Sequence, residues 1–466
     1  MNNELSVKTM AQKVVAAQAL SAKGTMERIF RQENLQRSKA TSLLKRAMLK
    51  QLAELRYGNL TLIDGDENYQ FHGNEVSELS ADIEVVHDEF YWFVALGGSV
   101  GAGEAFINGF WKSTDLTKVI QLFAVNQSVM DSMESGLARL TSPIKKMFHW
   151  LNKNTRKGSR KNIVAHYDLG NEFFEAFLDS TMMYSSGIFF DERESMKQAS
   201  LNKLERICQR LRLNENDHLL EIGTGWGSFA IYAAKKFGCK VTTTTISDEQ
   251  YAYAKKRIEI LGLTDKVFLL KEDYRLLEGK ETYDKLVSIE MIEAVGHQYF
   301  DTFFSKCSEL LKPNGEMLLQ AITISDQRFS SAKKEIDFIK RYIFPGSCIP
   351  SVDAISDSLR KSTDMRVLNL EDLGIHYALT LKKWRENFID KGAEIKSQGF
   401  SDAFMRMWEF YLCYCEGGFR ERVISNVQLH LVKPMARVPM TLSPYSNKPG
   451  DNEDKLNISQ TYHEEI

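Results

Sequence analysis

The stretch Leu219 to Ala230 (LLEIGTGWGSFA) constrains this chain more than any other. An apolar run ends in an acid and is followed by Gly223, Gly225 and Gly227, which reads as a strand, a tight turn and the start of a helix. Glycine lets the backbone turn sharply and approach a ligand closely, and the next helix offers unpaired N–H groups at its first turn. That geometry suits an adenosine cofactor. The motif alone is shared with nicotinamide sites and with merely tight strand-helix turns. Here the third glycine falls two residues after the second, with Trp226 between them, so the dinucleotide spacing G-x-G-x-x-G is missing.

From about residue 162 onward, strand and helix patterns alternate. After LLEI and the helix SFAIYAAKKF come KVTTTTI, the helix DEQYAYAKKRIEIL, the strands KVFLLKED and DKLVSIE, the helix QYFDTFFSKCSELL, a KPNG turn and the strand EMLLQAITI. Such alternation predicts an α/β fold with a parallel sheet and crossover helices. Ligands of these sheets bind beyond the carboxyl ends of the strands. That rule selects Glu221 to Gly227, Thr245 to Gln250, Asp273 with Tyr274, Glu290 to Glu293, and Gln320 to Ile322, all on one rim.

An insertion without regular period, centred on IFPGSCIPS, lies between Asp326 and Thr363 and reads as a lid or substrate wall. On DAFMRMWEFYLCYC, the residues Phe404, Trp408, Tyr411 and Cys415 fall on one helical stripe, a pattern commoner in cores than in substrate walls. The strand VQLHLVKP closes the pattern, and the polar tail reads as disordered. Upstream, residues 1–56 read as helix, and LTLID, YQFHG and DIEVVHD as short strands of a small α+β module. Glycines 97, 98, 101 and 103 of that module resemble a phosphate loop but lack a following GK[ST], which favours packing or a lipid-facing turn. The expected organisation is a basic helical leader (1–56), an α+β domain (57–142), a basic linker (143–161), a catalytic domain (162–441) and a tail (442–466).

With 466 residues and a net charge of −2, the chain has no bulk field to hold a phosphate backbone, which argues against nucleic acid as a partner. Six cysteines without C-x-x-C pairs fit a reducing compartment and no structural zinc. No run of about 18 apolar residues and no secretory signal is read, so no membrane span is expected. Charge is nevertheless uneven. The first 60 residues carry eleven Lys or Arg against four Glu, and Lys145 to Lys161 holds no acid. Set beside apolar residues such as Phe30, Leu43 and Trp150, these segments suit an anionic lipid surface, where each cation adds roughly 1 kcal/mol.

HYDLGNEFFEAFLDSTMMYSS, LLEIGTGWGSFA, TTISDEQ, KEDYR, SIEMIEAVG, IKRYIFPGSCIPS and FYLCYCEGGFRER, in this order and spacing, resemble the cyclopropane-fatty-acyl-phospholipid synthase family over about residues 57–434. The resemblance implies a Rossmann-like class I methyltransferase sheet with a smaller N-terminal α+β domain. It implies methyl transfer from S-adenosylmethionine to a cis double bond of a phospholipid acyl chain, followed by proton loss and ring closure. A peripheral protein on the cytoplasmic face of the membrane follows, and a homodimer is compatible with it. About nine methylenes must leave the bilayer, each worth roughly 0.8 kcal/mol of burial, so an apolar channel is required.

By the same resemblance, Tyr184, Ser185, Gly223, Gly225, Trp226, Thr245, Ile246, Gln250, Asp273 and Tyr274 are cofactor-binding positions, and the strand-end rule adds Glu221 and Gly227. Proton removal is assigned to a bicarbonate ion held by Glu293, Tyr377 and the backbone of Ile322, with Cys415 close by. Ser186 stands where relatives have cysteine and Gln320 where they have histidine, while Ala294 follows Glu293 where many have histidine. Ser186 retains a backbone N–H, and Gln320 both donates and accepts but carries no positive charge. These departures bear on proton removal and hence on the product: a ring, a methylene or a methyl branch.

Overall fold

The computed structural model describes residues 34–127 and 169–439. Most of the leader, the expected linker and the tail lie outside them. The larger sheet contains β5 (His218–Ile222), β6 (Lys240–Thr244), β7 (Val267–Leu270), β8 (Tyr283–Ile289), β9 (Leu311–Ile324), β10 (Arg366–Asp372) and β11 (Ile424–Val432). Their spatial order is β10-β11-β9-β8-β5-β6-β7, parallel from β9 through β7, with β11 antiparallel to both its neighbours. Chain order reverses between β5 and β8, the switch point where such sheets bind ligands.

Local chemistry accounts for most of these elements. The β-branched run Thr242 to Thr244 is buried in β6, where branched side chains suit a pleated interior. Ser195, Ser247, Ser351 and Ser401 each accept a backbone N–H in the first turn of the helix they precede, satisfying a donor the helix cannot. Two elements differ from the sequence expectation. The insertion is largely helical, with helices Asp326–Ala332 and Val352–Ser362 and a π turn at Ile339–Ile343. The first helix and the π turn are too short to show a repeat, whereas Val352–Ser362 is amphipathic and anchored by Ile355 and Leu359, one turn apart. Strand β10 is an almost wholly exposed edge with no in-out alternation, formed because it pairs with β11.

The smaller sheet, β1 (Tyr57–Asp64), β2 (Glu67–His72), β3 (Glu75–Val85) and β4 (Trp111–Lys112), has the order β2-β1-β3-β4. Helix Asn34–Leu52 packs here through Met48 and Leu52, while its Lys45 is held by Asp64 and Glu67. Helix Glu89–Ile107 is long and apolar enough to cross a membrane by length and composition, against the expectation that no such run exists. It kinks at Gly98 and buries most of its surface, as a core helix does. Two of its glycines serve packing, since a Cβ on Gly103 would lie 2.7 Å from the Phe338 ring and one on Gly101 1.9 Å from the Phe93 carbonyl, while Gly98 lies at the kink and lines the cavity between the domains.

Helix Asp402–Arg420 joins the two sheets' domains. Its Glu416, 1 % exposed, takes Arg385, Arg420 and the Thr117 hydroxyl, and Arg406 Nε donates to the Ile107 carbonyl at 2.7 Å. From the insertion, Tyr342 and Arg341 both reach Glu104 on the long apolar helix. The N-terminal domain is thereby fixed over the rim of the larger sheet.

Candidate active site

A single cavity of about 1030 Å³ starts at the carboxyl ends of β5 to β8 and runs up between the domains. It exceeds the ~300–1,000 Å³ usual for one small ligand. Of the expected cofactor positions, all but Gly227 line it. Gly223 (φ +104°) and Gly225 (φ +53°) adopt left-handed backbone, and a Cβ on Gly225 would project into open space, leaving the backbone bare to the cavity. Gly227 (φ +89°) instead starts helix Ser228–Phe237, with its missing side chain against Ala254. The residues present thus fit S-adenosylmethionine.

The cradle is internally braced. Glu221 accepts from Thr243 Oγ1 at 2.6 Å, and burial pushes its carboxyl up to about 8. Gly223 and Thr224 N–H groups both donate to the Thr244 carbonyl. Thr245 Oγ1 donates to Gln250 Oε1 at 3.0 Å, so the two expected contact residues also hold each other. Asp273 is clamped by Arg275, Trp226 Nε1 donates to Asn171, and the Tyr184 and Tyr411 hydroxyls meet at 2.9 Å. On the stripe expected from the sequence, Tyr411 and Cys415 line the cavity, whereas Phe404 and Trp408 stack in the core at 5.7 Å.

Beyond the cradle the walls turn apolar. Ile336, Ile339 and Phe344 come from the insertion, and Phe90, Val94, Trp111, Val119 and Phe123 from the N-terminal domain. This second contribution has no signature in the sequence, because those residues read as ordinary core. Burial pushes the Cys415 thiol far up, so it is an uncharged wall and no nucleophile.

Between cradle and chamber stands a residue that sequence reasoning passed over. Glu290, at the end of β8, has φ +50°, a region costing about 1–3 kcal/mol for a side-chain-bearing residue. Its carboxylate accepts four hydrogen bonds: Ser186 N–H (3.0 Å), Gln320 Nε2 (2.7 Å) and Asn426 Nδ2 (2.6 Å) on Oε1, and the Tyr377 hydroxyl (2.7 Å) on Oε2. At roughly 1.5–3 kcal/mol per bond to a charged group, this cage outweighs the backbone strain. Gln320 is fixed in turn by Gln428 Nε2 at 2.9 Å. Lys203, fully buried behind the site on Ser185, is pushed down to about 8 by burial. The only sequence signal for Glu290 was its place in the rim segment Glu290 to Glu293.

The expected bicarbonate therefore does not fit. Ser186, Gln320 and Tyr377 are committed to Glu290, and the Ile322 N–H donates to Glu293 Oε1. Every donor assigned to the ion already serves a carboxylate of the chain, and a further anion would face the charge of Glu290. Ser186 and Gln320 are absent from the cavity wall; they position Glu290. Glu293 faces the chamber with Oε2 unpartnered among the described residues. Burial, then the nearby charge of Glu290, push its carboxyl up to about 8, so it holds its proton at neutral pH. No cluster suited to a metal ion occurs among the described residues.

The sequence profile of the mycolic acid cyclopropane synthetase family matches residues 154–429. The chain is 36 % identical over 345 residues to tuberculostearic acid methyltransferase UfaA1 of Mycobacterium tuberculosis, covering 72 % of this chain and 79 % of the relative. To the cyclopropane-fatty-acyl-phospholipid synthase of Escherichia coli K12 it is 34 % identical over 359 residues, 75 % of this chain and 87 % of the relative. Among solved structures, mycolic acid cyclopropane synthase CmaA1 in complex with SAH and CTAB superposes with a TM-score of 0.55 at 28 % identity, covering 59 % of this chain and 98 % of the other. Coclaurine N-methyltransferase, at 17 % identity and TM-score 0.54, shares the fold. The larger domain is thus a Rossmann-like class I methyltransferase, and the cradle is that of an S-adenosylmethionine-dependent enzyme.

Proposed function

The chain belongs to the mycolic acid cyclopropane synthetase family, and from that premise we propose that it methylates the cis double bond of an unsaturated phospholipid acyl chain and closes a cyclopropane ring. The observation that carries this reading is the continuity of the cavity: one chamber joins the glycine cradle to apolar walls drawn from both domains. An alkene is a poor nucleophile, so holding it in line with the donor methyl supplies much of the rate. The apolar walls offset the roughly 0.8 kcal/mol per methylene that the acyl chain forgoes on leaving lipid. S-adenosylmethionine, when bound, supplies an electrophilic methyl group.

The chain's own residues set the rest. Gly223 and Gly225 admit the donor against bare backbone, and Thr245, Gln250 and Asp273 are braced to receive its polar edges. Tyr184, Tyr377 and Phe419 line the wall, with Tyr377 and Phe419 stacked on each other at 4.5 Å, so the site where positive charge develops is aromatic. Exclusion of water keeps that charge from being trapped.

A second reading ends in a methylene or methyl branch on the same lipids, and the similarity to a tuberculostearic acid methyltransferase supports it. Association with an anionic membrane surface belongs to both readings. Purified protein incubated with S-adenosylmethionine and monounsaturated phospholipid vesicles should incorporate label from the donor methyl into lipid. High-field ring protons by NMR identify the cyclopropane, terminal-methylene or vinylic-methyl signals the second reading; vesicle binding without label in the lipid refutes both.

A further inference from the structure

We infer that Glu290 is the base that removes the proton after methyl transfer, a carboxylate of the chain standing where an exchangeable bicarbonate ion was expected. The inference rests on the methyl-transfer reading above. Four donors from four separate segments, at Ser186, Gln320, Tyr377 and Asn426, converge on this one side chain. Three of them are groups, or positions, that the sequence assigned to the surroundings of the ion. The side chain is anchored at a left-handed backbone position that nothing in the local sequence demands, so the cage selects it.

The bonding within the carboxylate is uneven. Three donors fall on Oε1 and only the Tyr377 hydroxyl on Oε2, which leaves Oε2 with lone-pair capacity for a proton. Glu290 lines the chamber beside the cradle. Its neighbour Glu293 is unsuited to the role, since the chamber keeps that carboxyl protonated at neutral pH.

The step balances as follows. The alkene π pair forms the new C–C bond while the sulfur–methyl bond breaks with its pair on sulfur, leaving a positive charge on the adjacent chain carbon. A C–H bond of the added methyl then gives its proton to Oε2 of Glu290, and its electron pair closes the ring. After a hydride shift, the same pair forms a methylene double bond instead. The proton leaves for water on product release.

The experiment measures methyl incorporation into monounsaturated phosphatidylglycerol vesicles in degassed buffer with and without added bicarbonate. The wild type should turn over equally in both. Glu290→Gln should lose roughly 10²–10⁴-fold in kcat, the range for a general base, with S-adenosylmethionine affinity by calorimetry unchanged. Glu290→Gly, compatible with the positive φ, should be inactive alone and regain turnover with added formate, acetate or bicarbonate, each a small base that fits the emptied cage. Wild-type activity that requires bicarbonate, full activity of Glu290→Gln, or a Glu290→Gly variant that binds donor yet is never rescued would overturn the assignment and leave methyl transfer standing. No incorporation by the wild type into any unsaturated lipid overturns both.

Discussion

The cofactor cradle and the Glu290 cage adjoin each other on one rim but are built in opposite ways. The core of the cradle is one continuous strand-turn-helix, Leu219 to Ala230, completed by the ends of the next two strands, each of whose turns carries its own local signal. The cage draws one group from each of four segments, and its donors lie 30 to 136 positions from Glu290 in the chain, Gln320 nearest and Asn426 farthest. A site made by local backbone geometry tolerates changes to its distant supports. One made by convergence fails when any member is removed, because each donor left behind is buried without a partner.

The strongest break of that comparison is in the cradle's own backbone. Gly225→Val places a β-branched side chain at φ +53° and fills the space the donor needs, so affinity for S-adenosylmethionine should fall by at least about 100-fold by calorimetry. Retained affinity would show that the turn is only structural. In the cage, Tyr377→Phe removes the single hydrogen bond on Oε2 of Glu290; kcat should drop roughly 10–100-fold with donor affinity unchanged. An equal loss of both would show that the two regions are one unit.

The chamber's far end gives a smaller, selective effect. Ala124→Trp narrows the part lined by the N-terminal domain, so turnover on long acyl chains should fall by about tenfold while shorter chains are spared. Uniform loss on all chain lengths would remove that domain from substrate selection. Glu293→Gln should have the mildest consequence, a few-fold in rate, since an amide keeps the Ile322 contact and resembles the protonated acid.

That same variant has a pH signature. With a carboxyl raised from 4.5 to about 8 in the folded protein, Glu293 binds more protons folded than unfolded, so its contribution to stability is full below pH 4.5 and is lost as pH rises through 8. His218, lowered to about 4 by burial, works in the opposite sense below its unfolded value of 6.5. The clean window is therefore about pH 6.5 to 8. Denaturant unfolding there should show wild-type stability falling with pH, and a shallower slope in Glu293→Gln, with Glu221 among the groups that keep the remaining slope.

How much of this was legible before folding follows from the range of each interaction. Alternating periodicity gave the strands β5 to β9 and the helices between them. Strand β10 escaped notice because an exposed edge needs no apolar alternation. Glu293 was singled out as the anion holder, yet it is Glu290, three residues earlier in the same rim segment, that receives the donors.

Sequence alone determined the class of sheet, the glycine turn and the rim on which ligands meet, because those depend on backbone conformations and periodicities set within a dozen residues. Tertiary structure alone decided which carboxylate is ringed by donors, which keeps its proton, and which N-terminal side chains wall the chamber. The reason is physical: hydrogen bonds and desolvation act over a few ångströms of space, and only the folded chain brings Ser186, Gln320, Tyr377 and Asn426 within that reach of Glu290.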